Sequence, residues 1–176
     1  PVRAISAMRP SMMALVSTRI RRLSCNPLVS VLSSPSPPFF LRDEYIHVLL
    51  NDESFDSWLR KFINQDLSVE VIRQIRMLLT AQFERQRMFT SCGWFFSNFD
   101  RIEPKNNIAY TAQALWLTKQ AMGVDLQQKA LDLLSKVKDQ HTGLSCAEVF
   151  AKRYHRTQNY SDHNLAYFNA FNNLST

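Results

Sequence analysis

The chain has 176 residues, 45% of them apolar and 11% aromatic, which is material for one domain with a real core and excludes disorder throughout. Only 3 glycines stand against many Leu, Ala, Gln, Lys, Arg and Met residues, so helix is expected over a turn-rich β architecture. The net charge of +6 lies wholly in residues 1–42, where Arg3, Arg9, Arg19, Arg21, Arg22 and Arg42 meet no acid; the rest of the 21 basic residues are matched by the 15 acids, so the remainder is neutral and no nucleic-acid partner is expected.

Residues 1–41 are rich in Arg and Ser and run into Ser33-Ser34-Pro35-Ser36-Pro37-Pro38, a proline density that reads as a linker. The composition also fits an organellar transit peptide, although the sequence begins at Pro1 and not at a methionine. The plainer reading is a poorly ordered basic tail with one short helix from Met8 to Arg21. Past it, Asp43 is expected to cap a short helix through Leu50, with Tyr45, Ile46, Leu49 and Leu50 on one face. Asp52 or Ser54 then starts another, ending at Gln65-Asp66, with Phe55, Leu59, Phe62 and Ile63 as its stripe and Trp58 beside it.

Ser68 caps the longest predicted helix, about Val69 to Phe89. Val71, Ile72, Ile75, Leu78, Leu79 and Phe83 form its buried face, with Arg87 at the end, while Arg73, Arg76, Gln82, Glu84, Arg85 and Gln86 supply the wet side. An aromatic connection, Met88 to Pro104, follows; its Phe95, Phe96 and Phe99 are expected in the core. Glu103-Pro104 opens the next helix, proline falling in a first turn where its missing N–H costs nothing. Ile108, Ala112, Leu115 and Met122 share a face adjoined by Trp116, the alanines permit close approach of a neighbour, and Gly123 ends the helix.

Asp125 with Gln128 resembles a capping box for a helix whose stripe is Leu126, Ala130, Leu133, Leu134 and Val137. Gln140 to Gly143 reads as a turn, and Ser145 with Glu148 as a second capping box before Val149, Phe150 and Tyr154. Tyr160 to Thr176 is a last weak helix or a frayed end. The expected fold is all-α, an irregular antiparallel bundle behind a poorly ordered basic segment. It divides into a tail or linker over 1–41, a bundle over 42–157 and a weakly helical or frayed tail over 158–176. No repeat of 20 to 50 residues recurs.

The chemistry-bearing residues form no self-sufficient catalytic set. Cys25, Cys92 and Cys146 are odd in number and irregularly spaced, which fits neither a disulfide framework nor a zinc site and agrees with a reducing, cytoplasmic setting. His47, His141, His155 and His163 make no metal-binding pair, so no metal or cofactor is expected. No apolar run reaches the roughly 18 residues of a membrane span.

Cys92 would need a polarising partner to act as a nucleophile, and a structural cysteine among aromatics is the better reading. Asp100 and Glu103 lie close enough in sequence to suggest paired glycosidase carboxylates, but an acid beside Pro104 is explained by the helix dipole. Trp94 has a flat apolar face and one N–H, suited to core packing, which composition favours, or to stacking on a sugar.

The string Thr90-Ser91-Cys92-Gly93-Trp94-Phe95-Phe96, followed by Ile102-Glu103 and a helix with Tyr110 and Ala112, resembles a family described as a domain of unknown function, DUF3536. Arg42-Asp43, Tyr45-Ile46, Val48-Leu49-Leu50 and the Gln82 to Arg87 stretch are similar to it in the same order, so about residues 39–138 are covered. That family lies C-terminal to a catalytic domain related to glycoside hydrolase family 57, a distorted barrel bearing a nucleophilic glutamate and an acid/base aspartate. The resemblance therefore implies a helical C-terminal region that packs on such a barrel, has no catalytic residue of its own and is inactive alone. It also implies that Trp94 is the residue to approach an α-glucan or other oligosaccharide. The alternative is a stand-alone helical interaction or carbohydrate-binding module.

Overall fold

The computed structural model describes residues 38–159 apart from 64, 65, 97 and 140, and apart from the side chains of Pro38, Phe39 and Trp94. The expected Met8–Arg21 helix, the C-terminal segment from Tyr160 and the environment of the Trp94 ring lie outside the described residues. Those residues are helical, as composition predicts, with no strand among them beyond one antiparallel bridge between Lys138 and Ser145.

The chain enters through α1 (Pro38–Glu44) and α2 (Ile46–Leu49), then α3 (Phe55–Arg60). Proline at the first position of α1 is tolerated because that N–H has no intrahelical partner. The helix therefore starts earlier than Asp43, which lies inside it and pairs with Arg42. It breaks at Tyr45, whose buried ring meets Phe55 and Trp58 edge-on.

Ser54 caps α3 by accepting from the Ser57 N–H at 3.2 Å. The helix stops at Arg60, short of the expected Gln65, and Phe62 folds back against the Trp58 ring. Trp58 is not beside a stripe but at the centre of a small core with Leu41, Tyr45, Phe55, Leu59, Ile75 and Leu79.

The main core is built on α4 (Val69–Arg87) and α6 (Ile102–Met122), with α5 (Ser91–Phe95) between them in sequence. Ser68 caps α4 as predicted, its hydroxyl accepting from Val71 N–H at 3.4 Å. The helix carries two apolar faces. Ile75 and Leu79 serve the small core, while Met77, Leu78 and Ala81 serve the large one. Gln82 and Glu84 are buried as well, although their residue types place them on the wet side. A single partner helix would need only one of these faces; the second is buried because α4 stands between two cores.

α6 is the central element. Ile108, Thr111, Ala112, Ala114, Leu115, Leu117, Thr118 and Ala121 are all buried, so it is covered on more than the single predicted face, by α4 on one side and by α8 (Cys146–Asn159) on another. Buried alanines let both neighbours approach, and Gly123 ends the helix at φ 67°, its N–H reaching the Lys119 carbonyl at 2.8 Å.

α7 (Gln127–Leu134) returns along the bundle and ends before Val137. Asp125 starts it through the Gln127 N–H and holds Lys119 at 2.6 Å, so the expected box with Gln128 does not form; Gln128 turns instead to Asp132. Ser145 and Glu148 do form the predicted reciprocal box at the start of α8, at 2.7 and 3.1 Å. α4 and α6 are antiparallel, since Met88 meets Thr111 and Thr90 meets Asn107. α8 begins at the same end as α6, where Asp139 bonds the Phe99 N–H, and runs in the same direction, packed on α6 with α7 connecting them in sequence and packing on α8.

Candidate functional site

The connection between α4 and α6 is neither an ordinary polar loop nor a fully buried one. Its root is fixed by one side chain of α6. Asn107, buried in the second turn of α6, donates from Nδ2 to the Thr90 carbonyl at 3.0 Å and accepts the Thr90 hydroxyl on Oδ1 at 2.6 Å. The same amide lies against Gly93, where an added Cβ would collide with Nδ2. The Thr-x-x-Gly spacing is thereby explained: threonine supplies a carbonyl and a hydroxyl to Asn107, and glycine leaves room for it. Asparagine is a poor helix-interior residue unless its side chain is used, and that is the one signal of its role in the sequence.

Above this root the residues divide. Met88, Gly93 and Phe99 are buried, whereas Phe89, Cys92 and Ile102 are exposed and the Phe95 ring is 83% exposed. The expectation that Phe95 and Phe96 join the core is overturned for Phe95, and Phe96 is half-buried. With Gly93 seated against Asn107, Phe95 lies on the outside of this turn. Phe95 packs edge-on against Phe96 at 5.4 Å, and the Arg101 guanidinium covers the Phe96 ring at 3.7 Å.

Cys92 is exposed, not packed among aromatics. Of the histidines that could polarise it, His47 bonds Asp52 and His155 bonds Asn159. Cys146 is the inert thiol, its pKa pushed up to about 12 by burial.

Of the two candidate carboxylates, Glu103 has a structural partner. Glu103 is held below its ordinary pKa by its own backbone N–H and then by Arg101. Lys105 donates to the Asp100 carbonyl, tying the loop to the first turn of α6. Asp139, which no sequence motif marks, accepts from Thr142 and His141 backbone N–H groups at 3.0 and 2.8 Å, which hold it below its ordinary pKa, and from Phe99 N–H at 3.0 Å. It fastens the end of the aromatic segment to the turn before α8. Among the described residues no group of three His, Cys, Asp or Glu side chains could hold a metal ion, and no helix is long and apolar enough to cross a membrane.

Below the segment, Arg87 lies over the Tyr110 ring at 4.0 Å and the Phe83 ring at 5.3 Å while pairing with buried Glu84 at 3.0 Å. Burial raises the Glu84 pKa, and the charge and hydrogen bond of Arg87 partly counter it. Residue type puts Glu84 at the surface, but helical phase marks it otherwise: it falls on the stripe of Met77, Ala81 and Met88.

The segment is thus seated on Asn107 and exposes Phe89, Phe95 and Ile102, without an acid–base pair or nucleophile–base pair among its described residues. A family model described as a domain of unknown function, DUF3536, matches residues 34–174, a span that contains every helix described above. No curated protein and no solved structure matches the chain.

Proposed function

Since the chain belongs to the DUF3536 family, we propose that it is the helical region of a glycoside hydrolase family 57-like carbohydrate-active protein, acting by packing its aromatic end on a catalytic barrel domain. The observation that carries this reading is the outward placement of Phe89, Phe95 and Ile102 beside a root that Asn107 holds rigid. A connection needing only to join two helices would use polar residues there. Exposed rings on a fixed base are what a docking face requires, because little side-chain or backbone freedom is lost on contact. The resemblance of the Thr90 to Phe96 string adds the carbohydrate context, in which Trp94 approaches the sugar and the barrel supplies the catalytic carboxylates.

Sedimentation velocity on the purified chain, with an apolar dye as second readout, tests the docking face. Self-association or dye binding is expected, and a monodisperse monomer that binds no dye would overturn the reading. The sugar contact is tested by titrating α-glucan oligosaccharides against tryptophan fluorescence. The chain alone is expected to give a weak response or none. Saturable quenching that vanishes in Trp94→Ala would instead favour a stand-alone carbohydrate-binding module.

A further inference from the structure

Glu84 occupies a place that helical phase reserves for an apolar side chain. It shares the α4 stripe of Met77, Ala81 and Met88 and is 1% exposed. Its Oε1 accepts from Arg87 Nη1 at 3.0 Å, and its buried Oε2 has no hydrogen-bond partner among the described residues. A charge so placed is satisfied on one side only, because the balancing guanidinium stands at the surface over Tyr110.

The other charged groups around it are engaged elsewhere. On α4, Arg85 bonds Gln82. On α6, Glu103 pairs with Arg101, Lys105 with the Asp100 carbonyl, and Lys119 with Asp125, leaving Tyr110 as the titratable group brought to the pair. α5 brings only the exposed Cys92, and on α1 Arg42 and Asp43 pair with each other.

One turn further on lies the root of the aromatic segment. The Met88 N–H donates to the Glu84 carbonyl at 3.1 Å, Met88 Sδ lies against Thr111 Oγ1 at 3.8 Å, and Thr90 is bound to Asn107. Met88, one turn on along the same stripe, is itself fully buried beside the surface-standing Arg87.

We propose that Glu84 is a proton-linked latch on segment 88–96. Protonated, it lets the end of α4 stay packed on α6; ionised, it draws water into that turn and loosens Met88, Thr90 and the aromatic residues they anchor. As regulation of a docking face the latch rests on the function proposed above, but its operation is read without any partner, so either can fail alone.

The test combines a carboxyl NMR titration of the full chain with amide hydrogen exchange between about pH 4 and about pH 8, corrected for the intrinsic base-catalysed rate. Glu84 is expected to titrate above the ordinary glutamate range. Protection of the amides in 88–96 should fall in that same window, by about tenfold for each unit of elevation. Amides of Cys146–Phe150 should not respond, and Glu84→Gln should hold the 88–96 protection flat. An ordinary Glu84 titration overturns the proposal, as does an elevated one with no linked fall in protection, or the same fall in Glu84→Gln. If that variant does not fold, the two wild-type measurements decide.

Discussion

Asn107 carries more of the aromatic segment than any residue within it. Removing its amide in Asn107→Ala leaves the Thr90 carbonyl and hydroxyl without their partner, for an expected loss of about 1–3 kcal/mol in chemical denaturation. Gly93→Ala pushes a methyl group into that same short, hydrogen-bonded side chain, and about 1–3 kcal/mol is again expected. The two changes act on one contact, so the double variant should lose clearly less than the sum of the singles, and strict additivity would show the contact to be unimportant.

Glu84 gives the residue scale its pH dependence. Burial raises its folded pKa, so the folded chain binds more protons than the unfolded one between the two values. Its contribution is most favourable below the unfolded pKa and declines as pH rises through the folded one. Thermal melts should therefore show Glu84→Gln gaining on the wild type from acid to neutral pH. Asn107 is legible only as a poor helix-interior residue, because its partner Thr90 lies on another segment, and Glu84 only through its helical phase, because its residue type points to the surface.

At the scale of elements, legibility follows the range of the signal. Ser54, Ser68, the Ser145–Glu148 box, Pro104 and Gly123 act within one turn of helix, and each is found where its local pattern places it. Termini set by tertiary contacts depart from their local patterns. α4 ends at Arg87 because the chain must turn for Thr90 to reach Asn107, and α1 breaks where the Tyr45 ring enters the small core.

The Ser145–Glu148 box carries its own prediction. Ser145→Ala should cost about 0.5–2 kcal/mol, read from the denaturation midpoint. The Ser145 backbone N–H and hydroxyl hold Glu148 below its ordinary pKa. Its stabilisation is thus present above the unfolded pKa and lost as pH falls through the folded one. Glu148→Gln should flatten that acid-side loss.

For the whole molecule, composition and periodicity are sufficient to identify an all-α bundle, and the alanines of α6 indicate close approach of a neighbouring helix, though not that α6 is covered on more than one side. What they do not indicate is that α4 faces two cores, or that a segment holding so many aromatics seats itself on a glycine and turns Phe95 outward. Hydrophobicity says that a ring gains by burial; it does not say whether this chain or another supplies the cover.

That distinction is the centre of the account, and one variant addresses it. Phe89→Ser, Phe95→Ser and Ile102→Ser are combined and compared with the wild type by thermal melting and sedimentation velocity. If the three side chains form a docking face, self-association and dye binding disappear while stability changes by no more than about 1 kcal/mol, as for surface positions. If they are core residues of this chain, the variant melts far lower or fails to fold, and the docking account is contradicted.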